Sequence, residues 1–188
     1  MVIWIAGNPC AGKSTIVKNI IEDKLSNDHY RPVDTIRCTK FDKLLVVGGT
    51  YFKKVVSPGL DGDQRGSKKI LNDNFKKLII QEYPKNQNIL CETASRIYFN
   101  KDLLYWLIDN FEFKMFYLKT DKTILDERAK IRNNWWDKLR TDKRTIKDMK
   151  YVKSIVSDEK ITKHIKELKN DNMCDNIKNV KIISNFME

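Results

Sequence analysis

Nine residues near the start of the chain, Gly7-Asn8-Pro9-Cys10-Ala11-Gly12-Lys13-Ser14-Thr15, restrict its folding more than any other stretch. They read G-x-x-x-x-G-K-S, the Walker A pattern. The flanks suit it. Val2 to Ala6 is a short apolar run with the character of a buried parallel strand. Ile16, Val17, Ile20, Ile21 and Leu25 recur at helical spacing on the other side. A loop between a strand and a helix is the setting this motif requires. Gly7 and Gly12 permit backbone angles closed to other residues. Successive N–H groups can then turn inward around a phosphate, facing the positive end of the helix dipole. Lys13 is placed to reach the β- and γ-phosphates of a nucleotide, and the Ser14 hydroxyl to ligate Mg²⁺. All nine residues, Gly7 to Thr15, are expected to line a nucleoside triphosphate site with Mg²⁺, the base, as in ATP or GTP, being left open by the motif.

The rest of the chain reads as alternating strands and helices. Ser26 to Pro32 reads as a polar turn, and Asp34 to Thr39 and Leu44 to Val47 as strands, the second ended by Gly48-Gly49. Tyr51 to Ser67 has no period and carries Pro58-Gly59, Asp61-Gly62 and Gly66, the composition of a long functional loop. Lys68 to Glu82 returns to helical spacing, with Ile70, Leu71, Phe75, Leu78 and Ile79 on one face and Pro84 as its stop. Asn88 to Glu92 is a core strand ending in an acid. A helix over Lys101 to Asn110 and a strand over Phe113 to Leu118 follow. A helix is then expected from Asp121 to about Asp137, capped by Thr120 or Asp121. Val180 to Ser184 reads as a last strand. The alternation predicts an α/β fold, a largely parallel sheet of about five strands flanked by helices, within one domain over residues 1–188.

Further chemistry gathers where such a fold puts it. Ligands bind outside the carboxyl ends of the strands of an open sheet. The first strand delivers the phosphate loop to that edge, and Asn88 to Glu92 delivers Glu92, a carboxylate suited to Mg²⁺ directly or through water. Asp61 or Asp63, in the glycine-rich loop, can accept the proton of an acceptor hydroxyl. Arg65 and Arg96 can hold an acceptor phosphate. Arg128 and Arg132, four apart, share a helix face and suit phosphate oxygens. They open a segment, residues 128–153, with ten Lys/Arg against three Asp, an excess of +7 (10 − 3). A basic flap closing on phosphates would have this composition. Trp135 and Trp136 within it can stack on bases or cover the core. His29 and His164 are isolated and receive no role.

Composition narrows the partners. The net charge of +11 favours a polyanion, and a coding bias toward Lys, Asn and Ile is the competing source of it. No apolar run approaches the roughly 18 residues of a membrane span. The apolar N-terminus lacks a basic n-region, so it reads as the first strand and not as a signal peptide. Cys10, Cys38, Cys91 and Cys174 show no metal-ligand spacing, as expected of free thiols in the cytoplasm.

These residues resemble the P-loop kinases of the nucleoside monophosphate kinase fold. The matching features are Gly7 to Thr15, Ile89 to Glu92, and Arg128-x-x-x-Arg132 before a basic lid over about residues 128–153. A narrower resemblance is to bacteriophage-type kinases of 5-hydroxymethyluracil in DNA and to deoxynucleotide kinases. Their G-x-Y, G-T-D-like and N-[IV]-L-x-E elements correspond here to Gly49-Thr50-Tyr51, Gly59-Leu60-Asp61, and Asn88 to Glu92 with Arg96. Leu60 stands where that group has a small residue, and Thr93-Ala94-Ser95 departs from its Gly-Asp type of continuation. The resemblance implies a host-cytoplasmic kinase in which Tyr51, Asp61, Arg65 and Arg96 meet the acceptor and Lys13, Arg128 and Arg132 meet the transferring phosphoryl group. DNA and a free nucleotide both remain open as acceptor. A nucleotide-dependent switch is the reading from another class. Leu118-Lys119-Thr120-Asp121 lacks the leading Asn or Thr that a guanine-specific switch requires. The residues do not indicate an oligomeric state.

Overall fold

A computed structural model of the chain describes residues 1–22, 24, 28–33, 36–48, 60, 67–93, 99–131 and 143–188. Its centre is strand β1, Val2–Gly7, with every residue buried. A strand covered on both faces must be apolar throughout, which is why its sequence runs without alternation. The pleat still sorts the side chains. Val2, Trp4 and Ala6 enter one hydrophobic cluster, and Ile3 and Ile5 enter another on the opposite face.

The remaining strands are β2 (Asp28–Val33), β3 (Ile36–Phe41), β4 (Leu44–Val47), β5 (Asn88–Glu92), β6 (Phe113–Lys119) and β7 (Ile165–Lys169). They form a seven-stranded sheet in the order β2-β3-β4-β5-β1-β6-β7. The pairs from β4 through β7 are all parallel. The parallel core therefore has five strands, and the sheet as a whole has seven where the alternation predicts about five. β2 and β3 extend it through antiparallel pairings at one edge.

Helices cover both faces. α2 (Lys68–Glu82) and α3 (Lys101–Asn110) lie over the face that holds Trp4, bringing Leu71, Phe75, Leu78, Ile79, Leu103, Leu104 and Leu107 to it. Phe75 meets the Trp4 ring edge-on at 5.6 Å between centroids, a geometry that aromatic quadrupoles favour. α1 (Lys13–Ile21), α4 (Lys122–Ile131) and α7 (Met173–Met187) contribute Ile16, Val17, Ile20, Leu125, Ala129 and Ile183 to the opposite cluster. The helix starts follow their capping chemistry. Ser67 Oγ accepts from Ile70 N at 3.3 Å, and Asn100 Oδ1 from Leu103 N at 3.1 Å. The Asp121 carbonyl accepts the first bond of α4, from Leu125 N at 2.9 Å, which makes Asp121 the cap. α2 stops at Glu82, and Pro84 sits in the 3₁₀ turn Tyr83–Lys85 that follows.

Among the described residues two further helices lie between α4 and β7 in the chain. α5 (Lys143–Val156) buries Val152 and Ile155 in the Trp4 cluster, and α6 (Glu159–Thr162) adds Ile161. Asp158 caps α6 through Lys160 N and Ile161 N. Its other oxygen accepts from Lys101 Nζ at 2.7 Å and Tyr105 OH at 2.8 Å, so one carboxylate ties the foot of α5 to α3.

Several expected elements differ. The turn over Ser26 to Pro32 gives way to β2, an edge strand whose polar sequence carries little apolar signal. The strand expected from Asp34 falls at Ile36–Phe41. Ile70 is 53% exposed and leaves the buried face of α2. The last strand is not Val180 to Ser184, which lies inside α7, but Ile165–Lys169. β7 is an edge strand in which Leu168 alone is buried, so it shows no alternation. The buried face of α7 is Asn176, Asn179 and Ile183, and its two asparagines hide the helical period.

Candidate active site

The phosphate loop leaves β1 at its carboxyl end and enters α1 directly. Glycine suits position 7 because its φ of 156° is one that other residues rarely adopt and because the chain passes close to β6. A Cβ there would lie 3.1 Å from the Leu118 carbonyl oxygen. Gly12 caps α1 in the left-handed region, at φ 91°. A Cβ at Gly12 would also stand 2.7 Å from Asn170 Nδ2, closer than such atoms approach. Cys10 adopts φ 65° without being glycine, a strain of roughly 1–2 kcal/mol that the surrounding bonds must hold.

The first intrahelical bond of α1 runs from Ile16 N to the Gly12 carbonyl at 3.1 Å. The N–H groups of Gly12, Lys13, Ser14 and Thr15 therefore have no partner within the helix, and the cap residue, Gly12, has no side chain to offer them. This is the arrangement that binds an anion. The Ala11 N–H turns the other way, to the Asn8 carbonyl at 3.1 Å, closing the loop on itself.

The side chains complete a polar cluster. Lys13 is only 7% exposed, and its ammonium donates to the Gly7 and Asn8 carbonyls at 3.2 and 3.1 Å. Those two bonds hold a cation across the mouth of the loop. Ser14 Oγ donates to Glu92 Oε1 at 2.6 Å, a short charge-assisted bond. Glu92 ends β5, next to β1 in the sheet, and is 2% exposed. Arg128, from the last turn of α4, brings Nη1 to 3.5 Å from the Cys10 carbonyl, at the limit of hydrogen bonding.

The sequence-identified residues Lys13, Ser14, Glu92 and Arg128 thus meet within one cluster, with the loop residues Gly7 to Thr15 around them. Tyr51, Asp61, Arg65, Arg96 and Arg132 lie outside the described residues, as do Trp135 and Trp136. Leu60 is described and fully buried in the Trp4 cluster. The Ser14 hydroxyl and the Glu92 carboxylate are hard oxygen donors side by side, the donor set that Mg²⁺ takes together with substrate phosphates. Among the described residues no group of three or more His, Cys, Asp or Glu could hold a metal ion by itself. The four cysteines are free thiols.

Sequence reasoning missed Asn170. It follows β7 and is fully buried, and its Nδ2 donates to the Ala11 carbonyl of the phosphate loop at 2.6 Å. The signal was a polar run, Asn170-Asp171-Asn172, after an edge strand with no visible pattern.

No protein-family model and no curated protein matches the chain. Among solved structures it is similar to the crystal structure of shikimate kinase from Bacteroides thetaiotaomicron, with a TM-score of 0.50. The two share 11% identity, over 100% of this chain and 98% of that one. At that identity the likeness is one of fold. Sheet order and neighbour together show an α/β fold of the P-loop type, a mostly parallel sheet flanked by helices. Among the described residues no helix is long and apolar enough to cross a membrane.

Proposed function

We propose that the chain is an ATP- and Mg²⁺-dependent kinase that moves the γ-phosphoryl group to a hydroxyl of a nucleic-acid-type acceptor. The observation that carries the kinase reading is the Ser14–Glu92 hydrogen bond beside a buried Lys13. It sets oxygen ligands and a cation at the mouth of a phosphate loop. Mg²⁺, held by Ser14 and Glu92, would supply charge neutralisation on the phosphates. Lys13 stabilises the charge that develops on the transferring group, and Arg128 and Arg132 extend that stabilisation from the lid over residues 128–153. Asp61 accepts the proton of the acceptor hydroxyl as its oxygen bonds to the γ-phosphorus. The bond from that phosphorus to the β–γ bridging oxygen breaks, and ADP leaves with the bridging oxygen. Tyr51, Arg65 and Arg96 position the acceptor.

The favoured acceptor is a 5-hydroxymethyl pyrimidine in DNA. Its support is α5, where Lys143, Lys147, Lys150 and Lys153 are all exposed at helical spacing while Val152 and Ile155 anchor the helix. Such a stripe suits a phosphate backbone. The other acceptor is a free deoxynucleotide. Labelled ATP and Mg²⁺ offered with hydroxymethyluracil-containing DNA, unmodified oligonucleotide and free deoxynucleotides in separate reactions decide between them. Label on the modified DNA alone is the expected outcome. Label on free deoxynucleotides alone would replace the DNA acceptor by the nucleotide.

A further inference from the structure

The end of β7 grips the phosphate loop through one side chain. Asn170 Nδ2 donates to the Ala11 carbonyl across 159 residues of sequence, at 2.6 Å. In a trans peptide the C=O and the following N–H point in opposite directions. Holding the Ala11 carbonyl toward Asn170 therefore turns the Gly12 N–H away from it. That N–H is one of the four at the start of α1 without an intrahelical partner.

Asn170 is itself fixed on every side. Its N–H donates to the Lys119 carbonyl at 3.0 Å, and its carbonyl accepts from Thr120 Oγ1 at 3.3 Å. Its Oδ1 accepts from Asn179 Nδ2 at 3.4 Å, and the same Asn179 amide donates to the Lys169 carbonyl at 2.8 Å. Buried amides are costly unless paired, and here the pairing leads from α7 through Asn170 to the loop. A second amide pair runs elsewhere. Asn176 Oδ1 accepts from Asn19 Nδ2 at 2.9 Å, joining α7 to α1 beyond the loop.

We infer that Asn170 is a positioning residue that sets the Ala11–Gly12 peptide for phosphate binding, and that Asn179 on α7 holds it in place. This rests on the kinase reading in one respect, that the loop binds a nucleotide phosphate. It adds a residue from the far end of the chain to the determinants of nucleotide affinity, through a bond that does not touch the nucleotide.

Titration of the full chain with MgADP by calorimetry tests this, beside thermal unfolding of each variant. Asn170→Ala should weaken MgADP binding by about tenfold, the scale of one buried hydrogen bond. Asn176→Ala, which breaks the pair remote from the loop, should lower the melting temperature and leave MgADP affinity within about twofold. Asn170→Asp keeps the volume and loses the donor, and it serves where the alanine variant does not fold. Its affinity should recover relative to the parent chain from about pH 8 to about pH 6, as the buried carboxyl protonates and regains an O–H donor. If both Asn170 variants bind MgADP as the parent does and only melt earlier, Asn170 is packing and the inference is overturned. A parent chain that binds no MgADP would instead overturn the kinase reading beneath it.

Discussion

Lys13 donates its ammonium to two carbonyl oxygens of the loop, and both bonds exceed 3.0 Å. They hold its charge at the mouth of the phosphate loop. Lys13→Ala should therefore reduce phosphotransfer by about a hundredfold or more while the chain still folds, as loss of one preorganised donor does elsewhere. Steady-state turnover beside a circular dichroism melt checks it. Glu92 allows a finer test. Glu92→Gln keeps an oxygen that accepts from Ser14 and removes only the negative charge. Stability should hold, and the Mg²⁺ concentration for half-maximal activity should rise about tenfold, roughly 1.4 kcal/mol. An unchanged Mg²⁺ requirement would leave Glu92 as a structural acceptor for Ser14. At this scale much of the site was legible. Gly7 to Thr15 and Glu92 announce themselves because their chemistry needs those residue types at the end of apolar strands. Asn170 does not, because one buried amide on a distant element leaves no periodic trace.

The elements were legible where burial was one-sided or complete. Lys68–Glu82, Asn88–Glu92 and Lys101–Asn110 fall where their apolar residues put them. β7 and α7 failed together. An edge strand with one buried side chain and a helix whose core face is half asparagine both lack the contrast that periodicity measures. α5 combines anchor and exposed charge, so its two faces separate experimentally. Ile155→Ala should cost about 2–5 kcal/mol in chemical denaturation, since the side chain is fully buried. Lys147→Gln with Lys150→Gln should shift stability by less than about 1 kcal/mol in total. With DNA, removing each lysine that pairs with a phosphate should flatten the log–log salt dependence by about 0.7 to 0.9. Equal salt slopes before and after neutralisation would remove α5 from any DNA track. The clamp below α5 has its own signature in pH. The Lys101 ammonium, then the Tyr105 hydroxyl, hold the Asp158 carboxyl down at about 2. A carboxylate whose folded value lies below its unfolded one stabilises above the unfolded value and loses that contribution as pH falls. The melting temperature should drop between about pH 4 and about pH 2, and more steeply for the parent than for Asp158→Asn. Parallel curves would show that the clamp does not titrate with folding.

Across the whole molecule the sheet order sends β1, β5 and β6 to the same carboxyl edge, where the loop, Glu92 and the approach to α4 converge. The alternation of strands and helices foretold that convergence, because right-handed crossovers leave parallel strands few other arrangements. It could not foretell the antiparallel extension of the sheet, because the polar sequence of β2 is also that of a turn. The excess of +11 charges bears on partners and not on fold. What separates the proposed kinase from a nucleotide-binding switch or a hydrolase is where the γ-phosphate ends. Phosphorus-31 NMR of the parent chain with ATP, Mg²⁺ and hydroxymethyluracil-containing DNA follows that atom directly. A phosphomonoester signal should grow in step with ADP, vanish when Mg²⁺ is chelated, and be lost in Lys13→Ala. ATP that persists unchanged, or yields only inorganic phosphate across modified DNA, unmodified DNA and free deoxynucleotides alike, would contradict the account.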